Sequence, residues 1–294
     1  MRRLIALIAL SAASAAALPA AAQEGPLPPT PTNYVYARSM AIGAYRGMAG
    51  DNDAIFYNPA ALAARKRFDL NLGGLMYRVG SDTDATMFGG SVVDSVSSPV
   101  AGGFSYNYVT TLGYKTKGLS GGMTNMAAGF AIGDAFFLGA TGTYLNLYTP
   151  LTTVNAITVT LGAFMQLGKF VSAGFAGYNL INTHHPDLLP LAMGGGVALG
   201  PNDLFHVTGD WYREFGANNV HADRWAAGGE VFLFNVGALR GGWLYDAGAK
   251  IQWWSLGAGF TVSGFGADFA YRQSFGGTTF RTLSAMLKMS LPGM

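Results

Sequence analysis

The alternation of apolar with polar or small side chains is regular from Phe68 almost to the end of the chain, in segments of about ten residues separated by turn residues. The last segment shows it most clearly, because Leu283 and Leu287 fall on one parity and Ser284 and Lys288 on the other. Successive side chains of a β-strand point to opposite faces, so each face of such a segment meets one kind of environment. The pattern therefore predicts strands that have lipid on one side and a polar interior on the other.

Fourteen segments carry this alternation. Strands are expected near 68–79, 84–94, 100–111, 122–133, 136–147, 155–166, 168–180, 190–199, 203–214, 223–235, 238–247, 252–263, 265–275 and 281–292. Short turns such as 133–134 and 263–264 alternate with longer loops such as 112–121 and 181–189. A soluble β-sandwich does not need this alternation, whereas a membrane barrel has short periplasmic turns and longer outer loops. We therefore predict an all-β fold, a 14-stranded antiparallel transmembrane β-barrel, with both of its ends in the periplasm.

Charged residues at mid-strand fall on the parity opposite to the apolar side chains. They are Asp210, Glu230, Arg240, Asp268, Arg272 and Lys288. A lysine or arginine that faces lipid near the bilayer midplane costs about 2–4 kcal/mol, so these residues are expected in the lumen. Glu230 and Arg240 flank the turn at 235–237 and should lie close to opposite each other. Because the signs are balanced, we favour an ion-pair network that fills the lumen or holds a plug over a selectivity ring for a solute.

The chain before the alternating part divides into two regions. Residues 1–22 read as a signal peptide, since two arginines precede an apolar stretch and an Ala-rich run ends in a small-residue cleavage site. Residues 23–67 form an N-terminal extension with a Pro-rich start. Within it, Asp51, Asn52 and Asp53 before an apolar run, and Pro59 in a first turn, are helix-start signals, so we predict a short helical segment there. The barrel is expected to occupy 68–294.

Composition agrees with export to a bacterial outer membrane. Only 12% of the residues are charged, about half the usual share, and 42 of 294 are glycine. After the signal, no apolar run is long enough for a transmembrane helix, and a closed barrel is the other fold that pairs every backbone group in lipid. Without the two arginines of the signal, basic and acidic residues are equal in number, so we expect outer-membrane lipid and no nucleic acid as a partner. The absence of cysteine excludes a lipoprotein anchor and disulfide bonds.

No residue pattern points to catalysis, a cofactor or a metal site. The four histidines are His184, His185, His206 and His221, and those in the outer loops, His184, His185 and His221, have no carboxylate or third histidine at ligand spacing. His206 and Asp210 share one strand face, but no serine is singled out to complete a triad with them. The sequence contains no phosphate loop, dinucleotide fingerprint or zinc spacing. We therefore predict a protein that is not an enzyme and has no cofactor.

The segment 42–62, IGAYRGMAGDNDAIFYNPAAL, carries a specific motif. It resembles the N-terminal motif of the FadL-type outer-membrane transporter superfamily, which also includes PorV-like proteins. The matching residues are Gly43, Ala44, Tyr45, Ala49, Asp51, Asp53, Ala54, Phe56, Tyr57, Asn58, Pro59, Ala60 and Leu62. The hatch motif taken from them is Gly43, Tyr45, Asp51, Asp53, Phe56, Tyr57, Asn58 and Pro59. The resemblance implies a fourteen-stranded barrel in which the residues before Phe68 form a hatch, with the Asn-Pro element inside the lumen.

The resemblance also implies a function: a plugged channel for small hydrophobic molecules such as fatty acids, which in this family leave the lumen sideways through a gap between strands. The Gly-rich strand at 190–199 would favour a kink of that kind. The outer loops are short, which suits an alternative role as the outer-membrane subunit of a secretion or surface-motility machine, with other envelope proteins as partners. An unplugged diffusion pore is the third hypothesis. The sequence names neither a substrate nor a partner.

Overall fold

The structure is a computed structural model that describes residues 36–48, 51–80, 82–111, 119–148, 152–186, 188–201, 204–215, 221–234, 236–275 and 279–292. The signal peptide expected at 1–22, the Pro-rich start of the extension and the motif residue Ala49 lie outside the described residues. The described chain forms one closed sheet of fourteen antiparallel strands with short helices inside it. The predicted fold class is confirmed.

The strand bounds follow the alternation closely. The strands are β1 Arg67–Val79, β2 Asp82–Asp94, β3 Ala101–Thr111, β4 Ser120–Ile132, β5 Phe136–Tyr148, β6 Thr153–Leu167, β7 Val171–Tyr178, β8 Leu191–Leu199, β9 Phe205–Phe215, β10 His221–Leu233, β11 Gly237–Asp246, β12 Ile251–Val262, β13 Phe265–Ser274 and β14 Phe280–Pro292. Every boundary lies within three residues of the one expected from the sequence. The count of fourteen is therefore confirmed strand by strand.

Strands that follow one another in the chain are neighbours in the sheet, and β1 closes the barrel by pairing with β14. Arg67 lies opposite Pro292, so the barrel begins and ends at the same edge. We call this edge the turn rim, because it carries the tight turns at 133–135 and 168–170. The opposite edge carries the long connection 179–190 and is called the loop rim.

The expected alternation of connection lengths fails at the start of the barrel. Residues 80–81 alone join β1 to β2 at the loop rim, whereas residues 95–100 join β2 to β3 at the turn rim. Gly80 has a φ of 61°, a conformation that glycine adopts readily and that allows the tight reversal. The longer connection is ordered by Asp94, whose Oδ1 accepts hydrogen bonds of 2.9 and 3.0 Å from two of its backbone N–H groups.

The outer face of the barrel is apolar, and the parity read from the sequence holds. On β14, Leu283, Leu287 and Leu291 are exposed, whereas Thr282 and Ser284 are buried. The same alternation exposes Ile157, Leu161 and Met165 on β6 and Leu256, Phe260 and Val262 on β12. Apolar side chains are stable in this outward position when lipid covers them, so the belt is that of a membrane-spanning barrel.

Residues 36–48 and 51–66 lie inside the barrel, and we call them the hatch. They form helix α1 Ala37–Ile42, helix α2 Ala54–Tyr57 and a 3₁₀ helix Pro59–Ala64. Most apolar side chains of these helices are buried, in clusters shared with the inward side chains of the strands. The helical segment expected before the first strand is therefore present. None of the helices in the described residues is long and apolar enough to cross a membrane.

The two helix-start signals act differently. Asp53 precedes α2, but its side chain makes no capping hydrogen bond. Instead its backbone N–H donates to Oδ1 of Asp51 at 3.0 Å, which turns the chain ahead of the helix. Asn58 does cap the 3₁₀ helix, because its Oδ1 accepts a hydrogen bond from the N–H of Ala60 at 3.3 Å. Pro59 fills the first helical position, where the missing N–H costs nothing.

Inward-facing glycines on eight strands make room for the hatch. A Cβ atom would lie less than 3.0 Å from a hatch atom at Gly129, Gly139, Gly162, Gly174, Gly194, Gly196, Gly228, Gly242 and Gly257. The glycine run 194–196 contains no β-bulge, because β8 pairs without a register shift with both of its neighbours. Its glycines lie where Arg46 and Gly47 of the hatch approach the backbone of the strand, and the kink expected for 190–199 stays a prediction.

Candidate functional site

The Asn-Pro element anchors the hatch to the barrel wall. The Asn58 amide donates hydrogen bonds to the backbone oxygen of Ala163 on β6 at 2.9 Å and to that of Arg46 at 3.5 Å. Asn58 is 1% exposed, so these bonds form away from solvent. Pro59 begins the 3₁₀ helix, which packs on β4, β5 and β6. One amide thus joins two parts of the hatch to the sheet.

Asp210 on β9 holds the loop that follows α1. Its Oδ2 accepts hydrogen bonds from the backbone N–H groups of Tyr45 at 2.7 Å and Arg46 at 2.8 Å. The Arg46 guanidinium lies 3.4 Å from the same oxygen, and its Nε donates to the Tyr178 hydroxyl at 2.8 Å. That hydroxyl donates in turn to the backbone oxygen of Tyr57 at 2.5 Å. A wall carboxylate and a wall hydroxyl therefore fix both sides of the hatch.

The Arg46 guanidinium also lies against three aromatic rings. Its Cζ is 5.4 Å from the ring centre of Tyr57, 5.3 Å from that of Tyr178 and 4.5 Å from that of Tyr212. Cation–π attraction at such distances adds to the ion pair when water is excluded. Arg46 is therefore the residue through which the hatch meets the aromatic part of the lumen wall.

Arg38 of α1 joins the hatch to a second wall carboxylate. Its guanidinium donates to both carboxylate oxygens of Glu230, one of them at 3.2 Å, and to Oδ2 of Asp51 at 2.5 Å. Glu230 also accepts a hydrogen bond from Arg240 at 3.0 Å and lies 2.9 Å from Nδ1 of His206. Glu230 and Arg240 are directly opposite each other in the pairing of β10 with β11.

The network continues around the wall towards β14. Nη1 of Arg240 donates to Oδ1 of Asp268 at 2.7 Å, and Nζ of Lys288 donates to Oδ2 of Asp268 at 2.9 Å. Four of the six predicted lumen charges thus form one chain of ion pairs that reaches the hatch through Arg38. A continuous chain of ion pairs from the wall to the hatch is the arrangement expected of charges that hold a plug. Arg272 is not part of this chain.

The pKa values of two hatch carboxyl groups are shifted in opposite directions. Burial raises the pKa of Asp51, but the charges of Arg38 and Arg67 outweigh it and lower that pKa to about 2. Burial, followed by the negative charge of Asp51, raises the pKa of Asp53 well above its usual value. Burial also raises the pKa of the Tyr57 hydroxyl to about 12. Asp51 is therefore the carboxylate that carries the charge facing Arg38.

The remaining motif residues shape the hatch itself. Gly43 ends α1 with a φ of 80°, and its N–H donates to the preceding turn at 2.8 Å, as in a common glycine C-cap. The ring of Phe56 meets that of Tyr36 edge-on, with centres 5.4 Å apart. The rings of Tyr45 and Tyr57 lie 5.7 Å apart. These contacts tie the two helices to each other and to the connecting loop.

A cavity of about 300 Å³ lies between the hatch and the loop rim. The hatch supplies its floor through Gly43, Arg46, Ile55, Phe56 and Tyr57. The wall consists of inward side chains from the loop-rim halves of the strands, among them Leu75, Thr160, Tyr178, Tyr212, Trp253 and Arg272. Aromatic rings, hydroxyl groups and charges meet in this lining, so the cavity is amphipathic.

Part of the connection between β7 and β8 contributes to the lining of the cavity. Leu189 lines the cavity and is 5% exposed. It belongs with Leu188 to the apolar cluster that contains the inward side chains Leu145 and Leu147. The backbone N–H groups of Leu188 and Leu189 donate to the oxygen of His185 at 3.1 and 2.9 Å. A short loop thus supplies an apolar contact at the entrance.

Arg38 and Arg46 were not among the residues predicted from the sequence. Arg38 lies outside the motif and Arg46 occupies one of its variable positions, and their wall partners are 192 and 164 positions away in the chain. The signal that could have found them is charge balance. A segment expected inside the lumen carries arginines, and the expected lumen wall carries buried carboxylates that need partners.

The described residues include no group of three or more histidine, aspartate or glutamate side chains that could hold a metal ion. His206 contacts Glu230, and its ring meets that of Phe232 edge-on at 5.8 Å. This histidine therefore contacts the carboxylate that holds Arg38 of the hatch.

The whole fold is similar to known channel proteins. CymD, a monoaromatic hydrocarbon channel, is 11% identical with a TM-score of 0.67 over 88% of this chain and 97% of its own. TbuX, a toluene transporter of Ralstonia pickettii, is 14% identical with a TM-score of 0.66 over 88% of this chain and 98% of its own. A FadL homologue of Pseudomonas aeruginosa is 13% identical with a TM-score of 0.63 over 91% and 99%. No protein-family model matches the chain, and no curated protein matches its sequence.

The fold and the site define a membrane β-barrel closed by an N-terminal hatch. The chain shares its fold with the FadL homologue and the hydrocarbon channel, with fourteen strands and the described motif residues 42–48 and 51–62 inside the lumen. The resemblance drawn from that motif is confirmed at the level of the fold.

Proposed function

We propose that the protein is an outer-membrane channel for small hydrophobic molecules, exported by the signal peptide 1–22. The observation that carries the proposal is the cavity of about 300 Å³ between the hatch and the loop rim. A concave, partly aromatic site with a few placed polar groups is the usual form of a small-molecule site. Its floor is the hatch, so a molecule that passes through the barrel must first occupy this cavity.

Ring-sized molecules suit the cavity better than long chains. The proteins of similar fold include a monoaromatic hydrocarbon channel and a toluene transporter, which supports the same class of solute here. Tyr57, Tyr178 and Trp253 line the cavity and provide flat apolar surfaces on which a ring can pack. Fatty acids remain part of the proposal as the longer members of the class.

The other two hypotheses make different demands. An unplugged diffusion pore needs an open lumen. Here the hatch occupies the lumen and is held there by Asp210 and Glu230 of the wall. A subunit of a secretion or motility machine needs no transport, so it would leave solute uptake unchanged when the cavity is filled. A test that fills the cavity therefore separates the two remaining roles.

We expect Thr160→Trp to abolish the uptake of labelled toluene and octanoate by Gram-negative cells that depend on this protein. Thr160 faces the cavity and is 7% exposed, so an indole there occupies the space of the solute. Leu161→Trp is the matched control, because the neighbouring side chain faces lipid and is 51% exposed. Heat-modified migration on gels checks that both variants form barrels.

Equal uptake by the Thr160→Trp variant and the control would contradict the proposal. The machine-subunit role would be favoured by two results together. Solute uptake would not depend on the protein, and the protein would be recovered in a stable complex with other envelope proteins.

A further inference from the structure

Arg272 differs from every other arginine of the cavity. It lies on the inward face of β13, between Ser255 of β12 and Thr282 of β14 in the sheet, and it lines the cavity. Its side chain makes no ion pair and no hydrogen bond with any residue that the structure describes. Its guanidinium is therefore available to a molecule in the cavity.

The other two cavity arginines already have carboxylate partners. Arg46 pairs with Asp210 at 3.4 Å. Arg224 pairs with Glu214 at 2.9 Å and with Asp246 at 2.8 Å. These two arginines thus share three carboxylates, and Arg272 is the arginine of the described lining that has no direct carboxylate partner.

The electrostatic surroundings of Arg272 leave this charge unbalanced. The charged and titratable groups that act on it most strongly are Tyr57 of the hatch and Arg224, and neither is a carboxylate. An unpaired charge inside a barrel is costly, and an anion beside it would remove that cost. A planar guanidinium binds a carboxylate with two parallel hydrogen bonds, which fixes the orientation of the ligand as well as its affinity.

Apolar surfaces lie in the same cavity. The rings of Phe56, Tyr57 and Trp253 belong to the lining, together with the aliphatic side chains of Leu75 and Leu189. A ligand whose carboxylate reaches Arg272 can therefore pack an apolar body against the floor and the mouth of the cavity. The volume of about 300 Å³ suits a single ring with a short substituent.

We propose that this cavity selects small aromatic monocarboxylates, with the carboxylate bound by Arg272. The proposal rests on the proposed channel function and narrows it from hydrophobic molecules in general to organic anions with an apolar body. Arg272 is then the residue that discriminates an anion from a neutral hydrocarbon of the same size.

The test is ligand binding by the purified full chain in detergent, measured by calorimetry with benzoate and with benzyl alcohol as its neutral counterpart. Benzoate is expected to bind at least tenfold more tightly than benzyl alcohol. The Arg272→Gln substitution should lower the affinity for benzoate by roughly tenfold or more and leave the affinity for benzyl alcohol unchanged. The Arg272→Lys substitution keeps the positive charge, so it should lower the affinity for benzoate less than Arg272→Gln does. Arg213→Gln is the control, because Arg213 pairs with Asp223 away from the cavity.

The ligand-free protein gives an independent readout. If Arg272 is an uncompensated charge that waits for a ligand, Arg272→Gln should leave the melting temperature unchanged or raise it. A lower melting temperature would show that Arg272 supports the fold, and it would overturn the inference. Equal binding of benzoate and benzyl alcohol, or no effect of Arg272→Gln on benzoate, would overturn it as well.

The channel proposal survives such a failure if the uptake of toluene still depends on an unfilled cavity at Thr160. If neither compound binds, the selection of carboxylates is rejected. The uptake measurement then decides the channel function separately.

Discussion

Asp210 shows how one side chain of the barrel wall controls a loop of the hatch. A single carboxylate oxygen accepts two backbone hydrogen bonds, from Tyr45 and Arg46, and faces the Arg46 guanidinium. Asp210 is 6% exposed, so these bonds are made in a medium of low dielectric where they are strong. Loss of the carboxylate would leave two N–H groups and a cation without their partner.

We expect Asp210→Ala to loosen the hatch loop while the barrel stays folded. Removing one partner of a buried ion pair costs about 3–5 kcal/mol. The amides of Tyr45 and Arg46 should therefore exchange with deuterium roughly a hundredfold faster or more, as measured by mass spectrometry. Asp134→Ala, in the exposed turn at 133–135, is the control and should leave this exchange unchanged. Unchanged protection of the loop in Asp210→Ala would show that other contacts hold it.

At this scale, the sequence predicted where charges lie but not what they bind. Parity alone placed Glu230 and Arg240 inward and opposite each other, because side-chain direction in a strand has a period of two. The partner Arg38 could not be inferred in the same way. It sits on a helix whose rotation and depth in the lumen depend on packing against strands far away in the chain.

The elements are shaped to each other where the hatch meets the wall. Gly139 on β5 faces Pro59 and Ala60 of the 3₁₀ helix so closely that a Cβ atom would lie 2.5 Å from the carbonyl carbon of Pro59. Gly142 on the same strand faces outward, and a Cβ atom there would meet nothing nearer than 4.0 Å. Close packing against the hatch therefore requires glycine at position 139 but not at position 142.

We predict that Gly139→Ala lowers the stability of the plugged barrel by about 1–3 kcal/mol, since overpacking forces the 3₁₀ helix away from the wall. Gly142→Ala should be neutral or slightly stabilising, because alanine restricts the unfolded chain more than glycine does. The measurement is thermal unfolding, in which samples heated to a series of temperatures are run on gels that separate the folded barrel from the unfolded chain. A Gly139→Ala variant as stable as Gly142→Ala would contradict the close approach.

The strands were predictable as elements because the lipid and the lumen impose opposite demands on alternate residues. The glycine run of β8 shows that one strand signal can have two structural causes. Glycine weakens a strand signal both when a strand bends and when another backbone comes close, and only the position of the hatch separates the two. The lengths of the first two connections were likewise set by local turn geometry that the alternation does not report.

The molecule as a whole combines a sheet without edges and a separate plug. Every strand pairs with two neighbours, so the barrel satisfies its own backbone and does not need the hatch for closure. The hatch is held by side-chain contacts to the wall, which are individually reversible. This division leaves room for the plug to shift while the barrel remains intact, and the proposed function predicts that the barrel at rest is closed by the hatch.

The resting state is tested most directly by single-channel conductance in planar bilayers. We expect the full chain to show no steady conductance, and a chain that lacks residues 36–66 but still migrates as a folded barrel to show a large and steady one, because the cavity floor is then removed. Steady conductance through the full chain would contradict a hatch that closes the barrel. The same closed baseline with and without the hatch would show that something other than the hatch blocks the lumen.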